Sequence, residues 1–207
     1  MHRRQFITGL VSAAAVSAAS PALASSFKKH GGMSVLVEPP KYGGHSMEIP
    51  EQFRRQLVPY YTQERVGTIV IDPNQRYLYL VRENGMAIRY GVGVGREGFG
   101  WAGRAQVMRK EEWPTWTPPA EMIARQPELA KYSNGMPGGP DNPLGARAMY
   151  LYQGSRDTMY RIHGTNEPWT IGQAMSSGCI RMTNENAVDL YQRIPLATPV
   201  VVLGTPV

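Results

Sequence analysis

Two side chains in this sequence are suited to making and breaking acyl bonds: Cys179 and, sixteen positions before it, His163. A thiol attacks a carbonyl as its thiolate, and an adjacent imidazole can take the proton and hold the thiolate as an ion pair. Cys179 is the one cysteine in the chain, so an intramolecular disulfide and a multi-cysteine zinc cluster are both excluded. Of the four histidines, His2 lies in a leader-like segment, and His30 and His45 lie in a weakly patterned stretch. His163 alone falls within well-patterned sequence, at the end of a strand-like run. A lone cysteine is more often a small buried hydrophobe than a catalyst, so spacing by itself leaves a structural role open.

The neighbours of these two residues suit the same chemistry. Gly178 lets the chain turn tightly before the sulfur and lets a substrate approach backbone N–H groups. The N–H of Cys179, with that of Gly178 or another neighbour, can then receive the oxyanion of a tetrahedral intermediate. The carbonyl of Gly164 can orient the second ring nitrogen of His163, a task an aspartate performs in serine triads. Arg181 lies two residues beyond Cys179, so in extended chain it shares a side with the sulfur and can grip a carboxylate. It serves equally well as a salt-bridge partner.

These residues need a rigid support, and the surrounding pattern is that of a mostly β domain. Residues 68–72, 76–81 and 86–92 are strand-like runs joined by Pro73-Asn74-Gln75 and Glu83-Asn84-Gly85, which reads as a meander. Further strands are expected over 146–152, 160–163 and 199–203. Short helices are expected over 118–125 and over 184–193, where Thr183 or Asn184 can cap and Pro195 follows the end. The Gly/Pro-rich run 132–140 reads as a loop, and 48–58 allows a short helix. The 22 glycines and 17 prolines also favour turns and strands over a helical bundle.

The stretch Ile162-His163-Gly164-Thr165-Asn166, followed by Ser176-Ser177-Gly178-Cys179-Ile180-Arg181, closely resembles the YkuD (ErfK/YbiS-type) family of bacterial L,D-transpeptidase catalytic domains. Gly67–Asp72, Trp113-Pro114-x-Trp116-x-Pro118-Pro119 and Asn142-Pro143-Leu144-Gly145-x-Arg147-Ala148 extend the likeness over residues 59–205. Val66 stands where many relatives carry proline, and Ser177 where many carry histidine. The resemblance implies a mainly β fold with short helices, a YkuD-like β-sandwich or barrel-like catalytic domain. It implies Cys179 as nucleophile and His163 as base and acid. Gly164 would orient the imidazole, and Gly178 would supply backbone to an oxyanion hole. Arg181, Ser177, Thr165 and Trp169 would line a substrate groove, with loop 132–140 over it. No metal and no organic cofactor are implied.

The implied substrate is a peptidoglycan tetrapeptide stem, with release of D-Ala and formation of 3–3 cross-links. The same thioester could pass to water, to a free D-amino acid or to a lysine of an outer-membrane protein, and the residues serve all four acceptors. Carbapenems are expected to acylate Cys179. A non-catalytic wall-binding protein keeping this fold is the alternative of a different class. A papain-like protease fits less well, because there the cysteine precedes the histidine.

The chain opens with Arg3-Arg4, an Ala-rich apolar stretch and the triplet Ala22-Leu23-Ala24, the layout of a twin-arginine signal peptide cut after residue 24. Residues 25–60 read as an extended arm or linker and 61–207 as the catalytic domain. The periplasm is the expected location, with no membrane span in the mature chain. The net charge of +6 becomes +4 without Arg3 and Arg4, the only charges of the leader. A mildly basic exported protein suits an anionic polymer such as the cell wall. No dense Lys/Arg stripe or motif for nucleic acid is present.

Overall fold

The computed structural model describes residues 49–96 and 101–204. Residues 1–24, expected to be a signal peptide, and most of the expected arm lie outside them. In chain order the described elements are a 3-10 turn at Glu51–Phe53, β1 (Gln56–Pro59), β2 (Ile69–Asp72), β3 (Tyr77–Val81), β4 (Met86–Gly91), β5 (Val94–Gly95) and β6 (Gly103–Glu112). Then come α1 (Ala120–Arg125), a 3-10 segment at Pro127–Tyr132, β7 (Arg147–Gln153), β8 (Arg156–His163) and a 3-10 turn at Pro168–Thr170. The chain continues as β9 (Ala174–Ser176), β10 (Ile180–Arg181), α2 (Asn184–Arg193) and β11 (Thr198–Val202). The fold is mainly β with short helices.

The expected meander is present. Asp72 turns the chain after β2 by accepting the N–H groups of Asn74 and Gln75 on Oδ1. Asn84 and Gly85 both adopt positive φ, 59° and 66°, the geometry that matches the twist of a tight hairpin between β3 and β4. A nine-stranded sheet runs β1-β4-β3-β2-β11-β6-β7-β8-β10. β11 is parallel to β2, β10 is parallel to β8, and the other neighbours are antiparallel.

Alternation along the meander divides the apolar side chains between two faces. Ile69, Ile71, Leu78, Leu80, Ile88 and Tyr90 enter the main core. Val70, Tyr79, Val81 and Ala87 form a second cluster with Val58, Tyr60 and Tyr77 against it. The main core also takes Ile162, Ile180 and Met182, from the far end of the sheet. The segment after β4, which lies next to the β1 edge, bonds to β10 at the other edge: Gly93 N–H donates to Arg181 O at 2.9 Å and Arg181 N–H to Gly93 O at 2.8 Å. A two-stranded parallel ladder of β5 and β9 adds to this seam. The described strands are thus drawn towards a barrel-like closure.

Two expectations need correcting. Of the helix expected over 48–58, the described residues 49–58 hold only the 3-10 turn; Gln56–Pro59 instead pair antiparallel with β4, so the sheet begins before residue 61. The ten-residue β6 was not anticipated, because it carries only Ala105 and Val107 into the core amid Arg, Lys, Gln and Glu. Loop 132–140 is pinned: Trp116 and Met136 exchange backbone hydrogen bonds, and buried Asn142 Nδ2 donates to Pro114 O, Met136 O and Pro137 O at 3.0–3.1 Å.

Candidate active site

β8 ends in His163, and β10 begins one residue after Cys179. The parallel register sets Ile180 opposite Ile162 and Arg181 opposite His163. Both isoleucines enter the core. Arg181 and His163 therefore project from the other face, and alternation carries Cys179 and Arg161 to that face as well. A strand spacing of ~4.8 Å and a rise of ~3.3 Å per residue put Cys179 and His163 diagonally about 8 Å apart at Cα. The register thus brings the segment that carries Cys179 alongside the end of β8, which carries His163.

His163 is 4% exposed, and its Nδ1 lies 2.5 Å from Gly164 O. A carbonyl only accepts, so Nδ1 carries the proton and Nε2 is the basic nitrogen. Gly164 N–H in turn donates to Arg147 O at 2.9 Å, and His163 O accepts from Met182 N–H at 2.8 Å. The imidazole therefore sits on backbone fixed from both neighbouring strands.

The turn before the sulfur has its own lock. Ser176 Oγ donates to Cys179 O at 2.6 Å and accepts from Gly178 N–H at 3.1 Å. Gly178 has φ +114°, a conformation other residues rarely adopt, which the tight turn requires. The backbone on either side is braced by the segment of β5: Val94 N–H donates to Gln173 O and Arg96 N–H to Ser176 O, each at 3.0 Å. This corrects one expectation: the N–H of Gly178 is committed to Ser176 and does not point to an incoming oxyanion. The N–H of Cys179 remains the candidate for that contact.

The electrostatics also revise the resting state expected of the pair. Burial pushes the His163 pKa down to about 4, and the charges of Arg181 and Arg161 push the same way against the Gly164 hydrogen bond. Burial raises the Cys179 pKa, opposed by the Arg161 backbone and by the charges of Arg161 and Arg181. Both shifts favour neutral forms, thiol and imidazole, rather than a preformed ion pair.

The expected substrate residues divide. Arg181 Nη1 pairs with Glu167 Oε2 at 2.8 Å. Ser177 is exposed beside the nucleophile turn, and Trp169 is 42% exposed on the 3-10 turn after β8. Thr165 does not fit a groove wall: it is 3% exposed and its Oγ1 accepts the N–H of Glu167 at 3.0 Å, so it shapes the turn from beneath. Sequence reasoning missed Arg161, which is bidentate on Asp157 at 3.0 and 3.1 Å and lies over the Tyr150 ring. It also gave no role to Ser176 or Glu167. For Arg161 the two-residue offset from His163 was an available signal; for the others, partners become visible only in the fold.

A mainly β domain that sets a cysteine and an imidazole on one face of parallel neighbouring strands agrees with the sequence comparison. The family model of the YkuD L,D-transpeptidase catalytic domain matches residues 67–202, and this chain belongs to that family. It is 32% identical over 170 residues to the probable L,D-transpeptidase YbiS of Escherichia coli K12, a match covering 80% of this chain and 52% of YbiS. It is 32% identical over 172 residues to the probable L,D-transpeptidase ErfK/SrfK of the same strain, covering 79% and 51%. The chain thus spans about half the length of these curated relatives. A solved structure from Brucella melitensis, described as a probable carnitine operon oxidoreductase, shares 54% identity over 75% of this chain and 96% of that one, with a TM-score of 0.52. No helix among the described residues is long and apolar enough to cross a membrane.

Proposed function

We propose that this chain is an exported, cysteine-dependent L,D-transpeptidase acting on peptidoglycan stems. The carrying observation is the 2.5 Å contact of His163 Nδ1 with Gly164 O, which leaves Nε2 basic on the face shared with Cys179. His163 Nε2 takes the thiol proton as the sulfur attacks the carbonyl of the third stem residue. The oxyanion is received by the N–H of Cys179. On collapse the bond to D-Ala breaks, and His163 gives its proton to the departing amine. The thioester on Cys179 is then opened by the side-chain amine of a neighbouring stem, which forms the 3–3 link and restores the thiol. No ATP is consumed, because the acyl bond is exchanged rather than made anew. Arg181 orients a stem carboxylate by exchanging its contact with Glu167, and Ser177 and Trp169 flank the groove.

Water, a D-amino acid or a lysine of an outer-membrane protein could replace the acceptor amine. Arg3 and Arg4 supply the twin-arginine address to the periplasm.

The direct test is incubation of the purified protein with disaccharide-tetrapeptide. Release of D-Ala with a 3–3 dimer is expected; intact substrate would overturn the proposal. Water as acceptor would yield tripeptide only. Muropeptide analysis of a deletion strain separates the rest, since loss of 3–3 dimers marks cross-linking and loss of wall-bound protein marks attachment. Intact-mass analysis after exposure to a carbapenem should find one adduct, absent from Cys179→Ala.

A further inference from the structure

We propose that Asn184 is a positioning residue that fixes the tautomer and aim of the His163 imidazole through the Gly164 peptide. The proposal rests on the reading of Cys179 and His163 as the reacting pair. Asn184 is the first residue of α2 and is 6% exposed. Its Oδ1 accepts the N–H of Ala146 at 2.9 Å. The same oxygen lies against the backbone of both Gly145 and Gly164, so close that a Cβ on either glycine would collide with it. One amide oxygen thus fills a slot made where the entry to β7 meets the exit from β8.

That slot governs the imidazole. Gly164 donates its N–H to Arg147 O and accepts from His163 Nδ1 on its carbonyl. Ala146, held by Asn184, is the residue immediately before Arg147. The Gly164 N–H is held by Arg147 O, the Asn184 oxygen packs against Gly164 where a Cβ would sit, and the Gly164–Thr165 peptide that carries the carbonyl lies against Gly145, which packs on the same oxygen; this packing is the grip on the carbonyl. Loss of the grip frees the carbonyl, and with it the preference for a proton on Nδ1. Nε2, which must be unprotonated to receive the thiol proton, is then basic in only part of the population. Asn184 also follows Cys179 by five residues, with Met182 bonded to His163 O in between. The run that carries the sulfur therefore ends in the brace of its proton acceptor.

The test uses the full chain with 15N-labelled histidine, His163→Asn serving to assign the signal. The wild type should show the Nδ1-protonated tautomer alone at neutral pH. Asn184→Ala should show both tautomers, and turnover of disaccharide-tetrapeptide should fall at least tenfold in kcat with KM within twofold. Asn184→Asp keeps an oxygen for Ala146 N–H and should restore the single tautomer. Should Asn184→Ala not fold, Asn184→Ser is read in the same way, with a mixed tautomer expected. A folded Asn184→Ala or Asn184→Ser with the wild-type ring spectrum would overturn the proposal, whatever its melting temperature. So would an Asn184→Asp spectrum as mixed as that of the alanine variant. A wild type that has the single tautomer and loses it on substitution, yet yields no product, would overturn the reaction and leave the role of Asn184 standing.

Discussion

At His163 the same burial that keeps the ring neutral links the site to pH. Its folded pKa, about 4, lies below the ordinary value of 6.5. The unfolded chain therefore binds the proton more readily between those values, and stability falls as pH drops from 6.5 towards 4. The loss amounts to about 3 kcal/mol at full effect. Thermal melts of the wild type and His163→Gln across that window should show this part of the drop in the wild type only. Turnover should fail on the acid side when the imidazole charges, near pH 4 rather than near 6.5. Cys179→Ser should retain the fold and lose thioester formation, checked by circular dichroism and by intact-mass analysis with tetrapeptide. His163, Gly164 and Cys179 are singled out by the sequence because short-range motif and residue chemistry coincide there, and the Gly164 carbonyl does meet the imidazole. Asn184 and Ser176 were not legible, because their partners are chosen by how strands and turns approach one another. The neutrality of the pair was also invisible, since burial is a property of the fold.

The elements that carry the site are short and depend on their terminal locks. Thr183 caps α2 by accepting the N–H of Asn186 on its Oγ1 at 3.2 Å, and Met182 just before it lies in the core. Thr183→Ala should cost about 1 kcal/mol, read as a lower denaturation midpoint with unchanged slope. Ser176→Ala removes both bonds that fold the nucleophile turn. It should lower kcat several-fold while the melting temperature changes by only a few degrees, measured on the same preparation. The meander and α2 were readable because alternating β-branched residues, turn chemistry and a cap signal agree over 68–92 and 183–195. β6 was not, because its outward Arg104, Gln106, Arg109 and Glu111 mask two inward residues. They are held instead by surface pairings such as Arg104 with Glu64 and Tyr150 Oη donating to Glu111. β1 was hidden for a similar reason, with a half-buried pattern at the sheet edge.

Across the whole described molecule, a buried polar knot ties the edge region to α2. Asp189, 7% exposed, accepts from Tyr90 Oη at 2.7 Å and from Arg193 through two bonds of 2.8 Å, and Arg55 lies 3.0 Å away. Burial alone would raise its pKa, yet the Arg193 and Tyr90 hydrogen bonds and the Arg55 charge hold it below the ordinary carboxylate range. Asp189→Ala takes the carboxylate from the buried Tyr90 phenol and from the Arg193 guanidinium, and should cost about 3 kcal/mol, measurable by urea denaturation. The bonds between Gly93 and Arg181 have a consequence of another kind. They join residues 88 positions apart and sit two places from the only thiol in the chain. A thiol-reactive dye would therefore report the last stage of refolding: labelling should stay rapid in collapsed intermediates and slow abruptly when this seam closes.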